Sequence, residues 1–386
     1  MVSKSPLLAV ILLNLGASLA NAAVNCSNSA IPKPAAFGTE ILNVTAQTIS
    51  SFYGIADNDI CLVNVTLTHP GTGDRVHNWY ALPLSDWNGR FQGIGGGGYA
   101  AGSIPSLAPQ SALGYSAGTT DAGHDTSDAA INSADSWALL STGNVNQNLL
   151  LNFAHRSLHD MTVIGKQISE SFYGCAVKYS YWNGCSTGGR QGMAVAQYYP
   201  SDYDGILANA PAIQWTDFTM EQQWPYTVQN VENYTVPPCE FRFVVTEIVA
   251  QCDSLDGLVD GMISAPGLCH FDASSLVGKT YECTMGSSTS IGTFTHKAAD
   301  IVDKILQGPR TPQKQWLWYG LPPGANFSSQ APNIAGNDTP QPFQIPDSWI
   351  RGFVAKNLSF PTASVTYAEF SGITLSIYYL CVISES

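Results

Sequence analysis

Charge is scarce in this chain. Asp, Glu, Lys and Arg make up only 12% of its 386 residues, with 16 basic residues against 29 acidic and a net charge of −13. Such a surface is repelled by phosphate backbones and anionic bilayers, which excludes nucleic acid and membranes as partners. Long apolar runs are missing as well. Residues 7–15 are too few to cross a bilayer, and no second run reaches that length. The glycine run Gly95-Gly96-Gly97-Gly98 lacks the following lysine that a phosphate cradle requires, so a P-loop is excluded too.

What remains is the composition of a globular protein with a sizeable core, since 45% of the residues are hydrophobic. Residues 1–22 read as a secretory signal. Lys4 supplies the positive start, residues 7–15 the apolar stretch and Ala20-Asn21-Ala22 the cleavage site, so the mature chain is expected to begin at Ala23. The expected location is extracellular. Sequons at Asn25, Asn43, Asn64, Asn233, Asn326, Asn337 and Asn357 then predict a glycoprotein. Nine cysteines in an oxidising compartment read as disulfides. Nine is odd, so at least one thiol has no partner within the chain.

The most informative stretch is Trp182-Asn183-Gly184-Cys185-Ser186-Thr187-Gly188-Gly189-Arg190-Gln191. A strand-like run precedes it and a helix-like run ending at Pro200 follows. The G-x-S-x-G pattern of Gly184, Ser186 and Gly188 in that setting reads as a nucleophile elbow. An ordinary glycine-rich turn is the competing reading. The glycine run after the strand-like residues 90–94 reads either as a flexible turn or as half of an oxyanion hole. Ser186 favours the second, because hydrolases of this kind place that loop after an early strand.

Further strands are expected at residues 62–68, 76–84, 114–121 and 204–212, and a helix over residues 142–171. Alternating strands and helices predict an α/β protein with a mostly parallel sheet and an antiparallel edge. After about residue 215 that rhythm stops, and an inserted cap is expected. Within it, Asp253, Asp256 and Asp260 fall in eight residues, with Leu258 and Met262 able to add carbonyls. This reads as a solvated acidic turn closed by a Cys252–Cys269 disulfide, or as a calcium site. Three uncompensated carboxylates favour the cation.

Several motifs together resemble the tannase and feruloyl esterase family. They are Trp87-Asn88-Gly89-Arg90-Phe91 with the glycine run, residues 184–192, Pro211-Ala212-Ile213-Gln214-Trp215, the aspartate loop, and Leu317-Trp318-Tyr319-Gly320-Leu321-Pro322-Pro323-Gly324. The resemblance spans about Cys26 to Phe370. It implies an α/β-hydrolase core over residues 23–215 and a lid over 216–370. It implies Ser186 as nucleophile, with Thr187 and either Gly96 or Gly97 as oxyanion donors. It implies a structural calcium at Asp253, Asp256, Leu258, Asp260 and Met262. The implied substrates are feruloyl, other hydroxycinnamoyl or galloyl esters, either small phenolic esters or esters of cell-wall polysaccharide. The lid aromatics Trp215, Trp224, Trp316, Trp318 and Tyr319 suit a flat phenolic ring or a lid core.

The family also bridges the cysteine before its serine, here Cys185, to a cysteine directly after the catalytic histidine. Residues 371–386 have no counterpart in the family, and no triad Asp or His is found in this chain. His270 and His296 are the only histidines after Ser186, both in the expected lid, and His124 precedes it. The expectation is therefore a core without its last strands, a bare sheet edge and an unpaired Cys185. Its alternatives to an active esterase are a calcium-binding pseudoenzyme or, less in keeping with the elbow, a Cys185 nucleophile. The hypothesis for the tail is a truncated product of a misread splice junction. Intact mass of the purified secreted protein tests it: a mass that includes residues 371–386 refutes truncation by misreading.

Overall fold

The computed structural model describes residues 25–124, 127, 131–285, 288–327 and 340–384, with the side chains of 377–384 left aside. The expected signal segment, Asn337 and the Cys381 side chain lie outside the described residues. The main sheet has seven strands. β1 (Glu40–Ile49), β2 (Ile60–Thr68) and β3 (Val76–Pro83) form an antiparallel meander, and β3 pairs antiparallel with β5 (Ser116–Thr120). From there the pairing is parallel, through β4 (Arg90–Ile94) and β8 (Tyr179–Cys185) to β9 (Gly205–Asn209).

Two expectations need correction. The antiparallel start has three strands, not two. β1 escaped because it is an edge strand in which only Ile41 is buried, so its apolar alternation is weak. The helix expected over residues 142–171 is not continuous. It is preceded by a small hairpin of β6 (Leu139–Ser141) and β7 (Asn144–Val145). A helical turn at Gln147–Leu151 follows, capped by the Asn146 side chain, then a wide π turn at Asn152–Arg156, then α1 (Ser157–Tyr173).

α1 packs on the sheet through Leu158, Met161, Ile164 and Ile168, which join Val63, Val65, Leu67, Tyr80, Leu82, Phe91 and Trp182 in one cluster. Gly165 permits the close approach: a Cβ there would lie 2.6 Å from both the Tyr80 and Phe91 rings. The Tyr80 hydroxyl donates to the Met161 carbonyl at 2.8 Å, which satisfies its buried polar end. α2 (Thr187–Tyr198) runs from the end of β8.

A second cluster is drawn wholly from Met220 to Phe370. It is built from α3 (Trp215–Val231), α4 (Pro238–Cys252), α5 (His296–Gln307) and α6 (Tyr367–Ser384). The Cys239–Cys283 and Cys252–Cys269 disulfides staple it, and Cys26–Cys61 ties the N-terminus to β2. Its attachment to the sheet region is both polar and aromatic. Arg351, held by Asp347 four residues before it, pairs with Asp135 at 2.8 Å, the Tyr99 hydroxyl donates to the Ile345 carbonyl at 3.0 Å, and Phe353 packs on Trp137. The outer edge of β9 has no strand partner among the described residues, and Leu207 upon it is 60% exposed. An unpaired, apolar edge of this kind is prone to pair with another chain. No helix among the described residues is long and apolar enough to cross a membrane.

A buried ionic cluster fixes the β2–β3 turn against α1. His69 Nδ1 meets Asp74 at 2.6 Å and Nε2 meets Asp160 at 2.9 Å. Asn152 donates to Asp74 as well, at 2.8 Å. Burial alone would lower the His69 pKa, but the hydrogen bonds it donates to Asp160 and Asp74 outweigh that and raise it to about 9. The stabilisation from His69 is therefore complete below its unfolded pKa near 6.5 and is lost as pH rises through about 9. His69→Ala is predicted to cost about 3 kcal/mol, because two buried carboxylates lose their shared partner. The difference in stability between wild type and variant, followed by thermal unfolding, should shrink between pH 6.5 and 9. A constant difference across that range contradicts the assignment.

Candidate active site

The site begins with a backbone that few residues adopt. Ser186 has φ 59° and ψ −118°, a strained conformation costing on the order of 1–3 kcal/mol. Its surroundings hold it there. The Ser186 N–H donates to the Asn209 carbonyl at 3.1 Å, and its own carbonyl accepts from Arg190 at 3.0 Å and Ala212 at 3.1 Å. Gly184 has no alternative, because a Cβ there would overlap the Gly188 carbonyl. Ser186 is the N-cap of α2, yet its hydroxyl makes no capping bond, and the residue is exposed. Thr187 is the first helical residue, so its N–H has no intrahelical acceptor and sits at the positive end of the helix dipole.

The glycine loop lies directly against this elbow. The Gly95 N–H donates to the Asn183 carbonyl at 3.1 Å, and the Gly188 N–H donates to the Gly96 carbonyl at 3.0 Å. The Thr187 hydroxyl donates to the Gly98 carbonyl at 2.6 Å. Contact is backbone to backbone: a Cβ on Gly95 would stand 2.5 Å from the Gly188 Cα. Of the two glycines expected as donors, Gly96 has its N–H engaged by Gln191 Oε1 at 3.0 Å. That bond occupies the N–H its expected role would need, since one N–H cannot serve both partners well. Gly97 forms a one-residue antiparallel bridge with Ala100, whose N–H donates to the Gly97 carbonyl at 3.0 Å.

Behind the elbow, Arg190 does work that its sequence position did not disclose. Its guanidinium lies 4.5 Å from the Phe153 ring and 5.6 Å from the Trp215 ring, and it donates to the Phe153 and Ala154 carbonyls at 3.2 Å. Burial lowers its pKa to about 10, so it stays charged near neutrality. Tyr99 and Phe153 each pack against Trp137 and Trp215, with Trp349 and Phe353 adjoining. The other aromatics expected to serve the lid divide. Trp224 is buried in the second cluster, whereas Trp316 and Tyr319 are 50% and 67% exposed.

Among the described residues no histidine hydrogen-bonds Ser186. His69 is held by Asp74 and Asp160, His155 by Tyr199 and His159 by Asp202. His77 meets Thr66. His124 stacks on Trp137 at 4.2 Å and is buried, which lowers its pKa to about 4 and keeps it neutral. His270 and His296 are exposed in the second cluster. Cys185 and Cys175 are free and exposed.

In the aspartate loop, Asp253 accepts from the Asp260 and Gly261 N–H groups, Asp256 from Leu258 and Ser264, and Asp260 from Met262. No group of three acidic, histidine or cysteine side chains gathers as a metal would need among the described residues. The Cys252–Cys269 bond closes the loop.

A serine at a strained strand-to-helix turn on a parallel sheet, with a glycine loop packed beside it, defines an α/β-hydrolase. Comparison with known proteins narrows this. A family model described as tannase and feruloyl esterase matches residues 61–348, and the chain belongs to that family of carboxylic ester hydrolases. It is 46% identical over 315 residues to a probable feruloyl esterase of Arthroderma benhamiae, covering 81% of this chain and 57% of that one. It is 38% identical over 262 residues to a tannase of Aspergillus oryzae, covering 66% of this chain and 43% of that one. A solved tannin acyl hydrolase from Aspergillus niger matches with a TM-score of 0.79 at 28% identity, over 92% of this chain and 69% of that one. The chain spans about half the length of the curated relatives it matches.

Proposed function

We propose that this chain is a secreted carboxylic ester hydrolase for aromatic esters, feruloyl, hydroxycinnamoyl or galloyl, acting through an acyl-enzyme on Ser186. The observation that carries the proposal is the strained, uncapped Ser186 at the head of α2, beside the unengaged N–H of Thr187. Its hydroxyl oxygen attacks the ester carbonyl carbon, and the carbonyl oxygen takes the negative charge. The Thr187 N–H and one N–H of the glycine loop stabilise that charge. The alcohol leaves with a proton, and water then releases the aromatic acid from Ser186. The step needs a base to accept the serine proton, a role that no described hydrogen bond to Ser186 assigns. That same observation favours a second reading, a chain that binds phenolic esters without turning them over.

Hydrolysis of methyl ferulate and methyl gallate by the purified chain, beside Ser186→Ala, tests the two readings. The esterase reading predicts turnover that falls by at least ~10³-fold in the variant, and the better substrate names the acid. Folded wild type with no turnover leaves the second reading standing.

We also propose that Asp253, Asp256 and Asp260, with the carbonyls of Leu258 and Met262, hold a structural calcium. Hard oxygen donors on one loop fit that ion, which would tie residues 253–262 together. The carboxylates now accept backbone N–H groups, so binding requires them to turn. Calcium should raise the unfolding temperature of the wild type and leave that of Asp256→Asn, Asp260→Asn unchanged. Equal unfolding temperatures for the wild type in calcium and in chelator contradict it.

A further inference from the structure

Gln191 lies one turn into α2 and is fully buried, at 0% exposure. Its Oε1 accepts from the Gly96 N–H at 3.0 Å, and its Nε2 donates to the Ala101 carbonyl at 2.9 Å. A single amide thus closes the glycine loop at both ends. The orientation is self-consistent, because a flipped amide would set N–H against N–H and oxygen against oxygen. The other ties from elbow to loop, Gly188 N–H to the Gly96 carbonyl and Thr187 Oγ1 to the Gly98 carbonyl, arise from the same first turn of α2. No other side chain described here grips the loop at two points.

We propose that Gln191 is the positioning residue of the oxyanion pocket: it holds the glycine loop in register with Ser186 and keeps the Gly96 N–H out of the pocket. The second donor to the developing oxyanion then comes from Gly97 or Gly98, and Gln191 sets its aim. Gln191 acts through the loop and does not touch the ester. This rests on the esterase reading for its chemical consequence, though not for the clamp itself.

The chemistry of the clamp offers its own test. Gln191→Met keeps the volume but leaves the Gly96 N–H and Ala101 carbonyl without partners. Gln191→Glu behaves differently with pH. As a neutral acid it presents one acceptor and one donor, as glutamine does. As a carboxylate it still accepts from Gly96 but sets a charged oxygen against the Ala101 carbonyl. Burial favours the neutral form, so the switch falls within reach of ordinary buffers.

Amide exchange of the peptide carrying Gly96 to Ala101 reads the clamp without any turnover. Protection relative to wild type should fall about tenfold in Gln191→Met at every pH. In Gln191→Glu it should fall at high pH and recover as pH is lowered. With methyl ferulate, kcat should drop on the order of 10²-fold in Gln191→Met with KM little changed, and Gln191→Glu should regain kcat, relative to wild type, over the pH range in which protection returns. Unchanged protection in Gln191→Met overturns the clamp. Lost protection with a raised KM and unchanged kcat overturns the positioning role. If the wild type hydrolyses nothing, the esterase reading fails by itself, and the exchange measurement still decides the clamp.

Discussion

Two backbones pass closer at this site than any side chain would allow, and the rest of the structure is arranged to let them. The loop after β4 rests on the turn after β8 with Gly95 against Gly188, and within the turn itself Gly184 lies against Gly188. That contact holds Ser186 in a conformation it would otherwise leave. Hydrogen bonds from the Ser186 N–H to the Asn209 carbonyl and from the Ala212 N–H to the Ser186 carbonyl close the turn from the β9 side. The strain at Ser186 is thus offset by the sheet, by α2 and by the glycine loop together, as expected where local backbone cost persists at a working site.

Neighbouring residues couple the site to the second cluster. Arg190, four residues beyond the serine, lies over the rings of Phe153 of the π turn and Trp215 at the start of α3, which touch each other edge to face. Tyr99, at the end of the glycine run, packs against Trp215 and donates to Ile345. A shift of the second cluster would therefore be felt at both sides of the elbow, through packed rings and not through a flexible hinge.

Much of this was legible in the sequence for identifiable reasons. The elbow announced itself because glycine and serine at those spacings, between a strand and a helix, leave few other solutions. β2 and β3 showed through their apolar content. The belonging of the chain to the tannase and feruloyl esterase family followed from separated motifs in one order, and the match over residues 61–348 agrees. What did not show is contact between distant residues. His69 and Asp160 are 91 positions apart, and nothing local in either predicts their bond. Gln191 reads as an ordinary polar helix residue until the loop arrives 95 positions away in sequence. Gly96 and Gly97 are indistinguishable as letters; the bond from the Gly96 N–H to the Gln191 amide sets them apart. β1 was hidden because an edge strand exposes most of what would mark it.

The central claim is that the interlocked elbow and glycine loop present Ser186 Oγ to an oxyanion pocket headed by the Thr187 N–H. A crystal structure of the purified chain after reaction with an aryl phosphonate ester tests it directly. The account predicts a phosphorus bound to Ser186 Oγ, with one phosphoryl oxygen within about 3 Å of the Thr187 nitrogen and a second N–H from Gly97 or Gly98. A phosphonate on another residue, or on Ser186 with that oxygen turned to solvent, contradicts it.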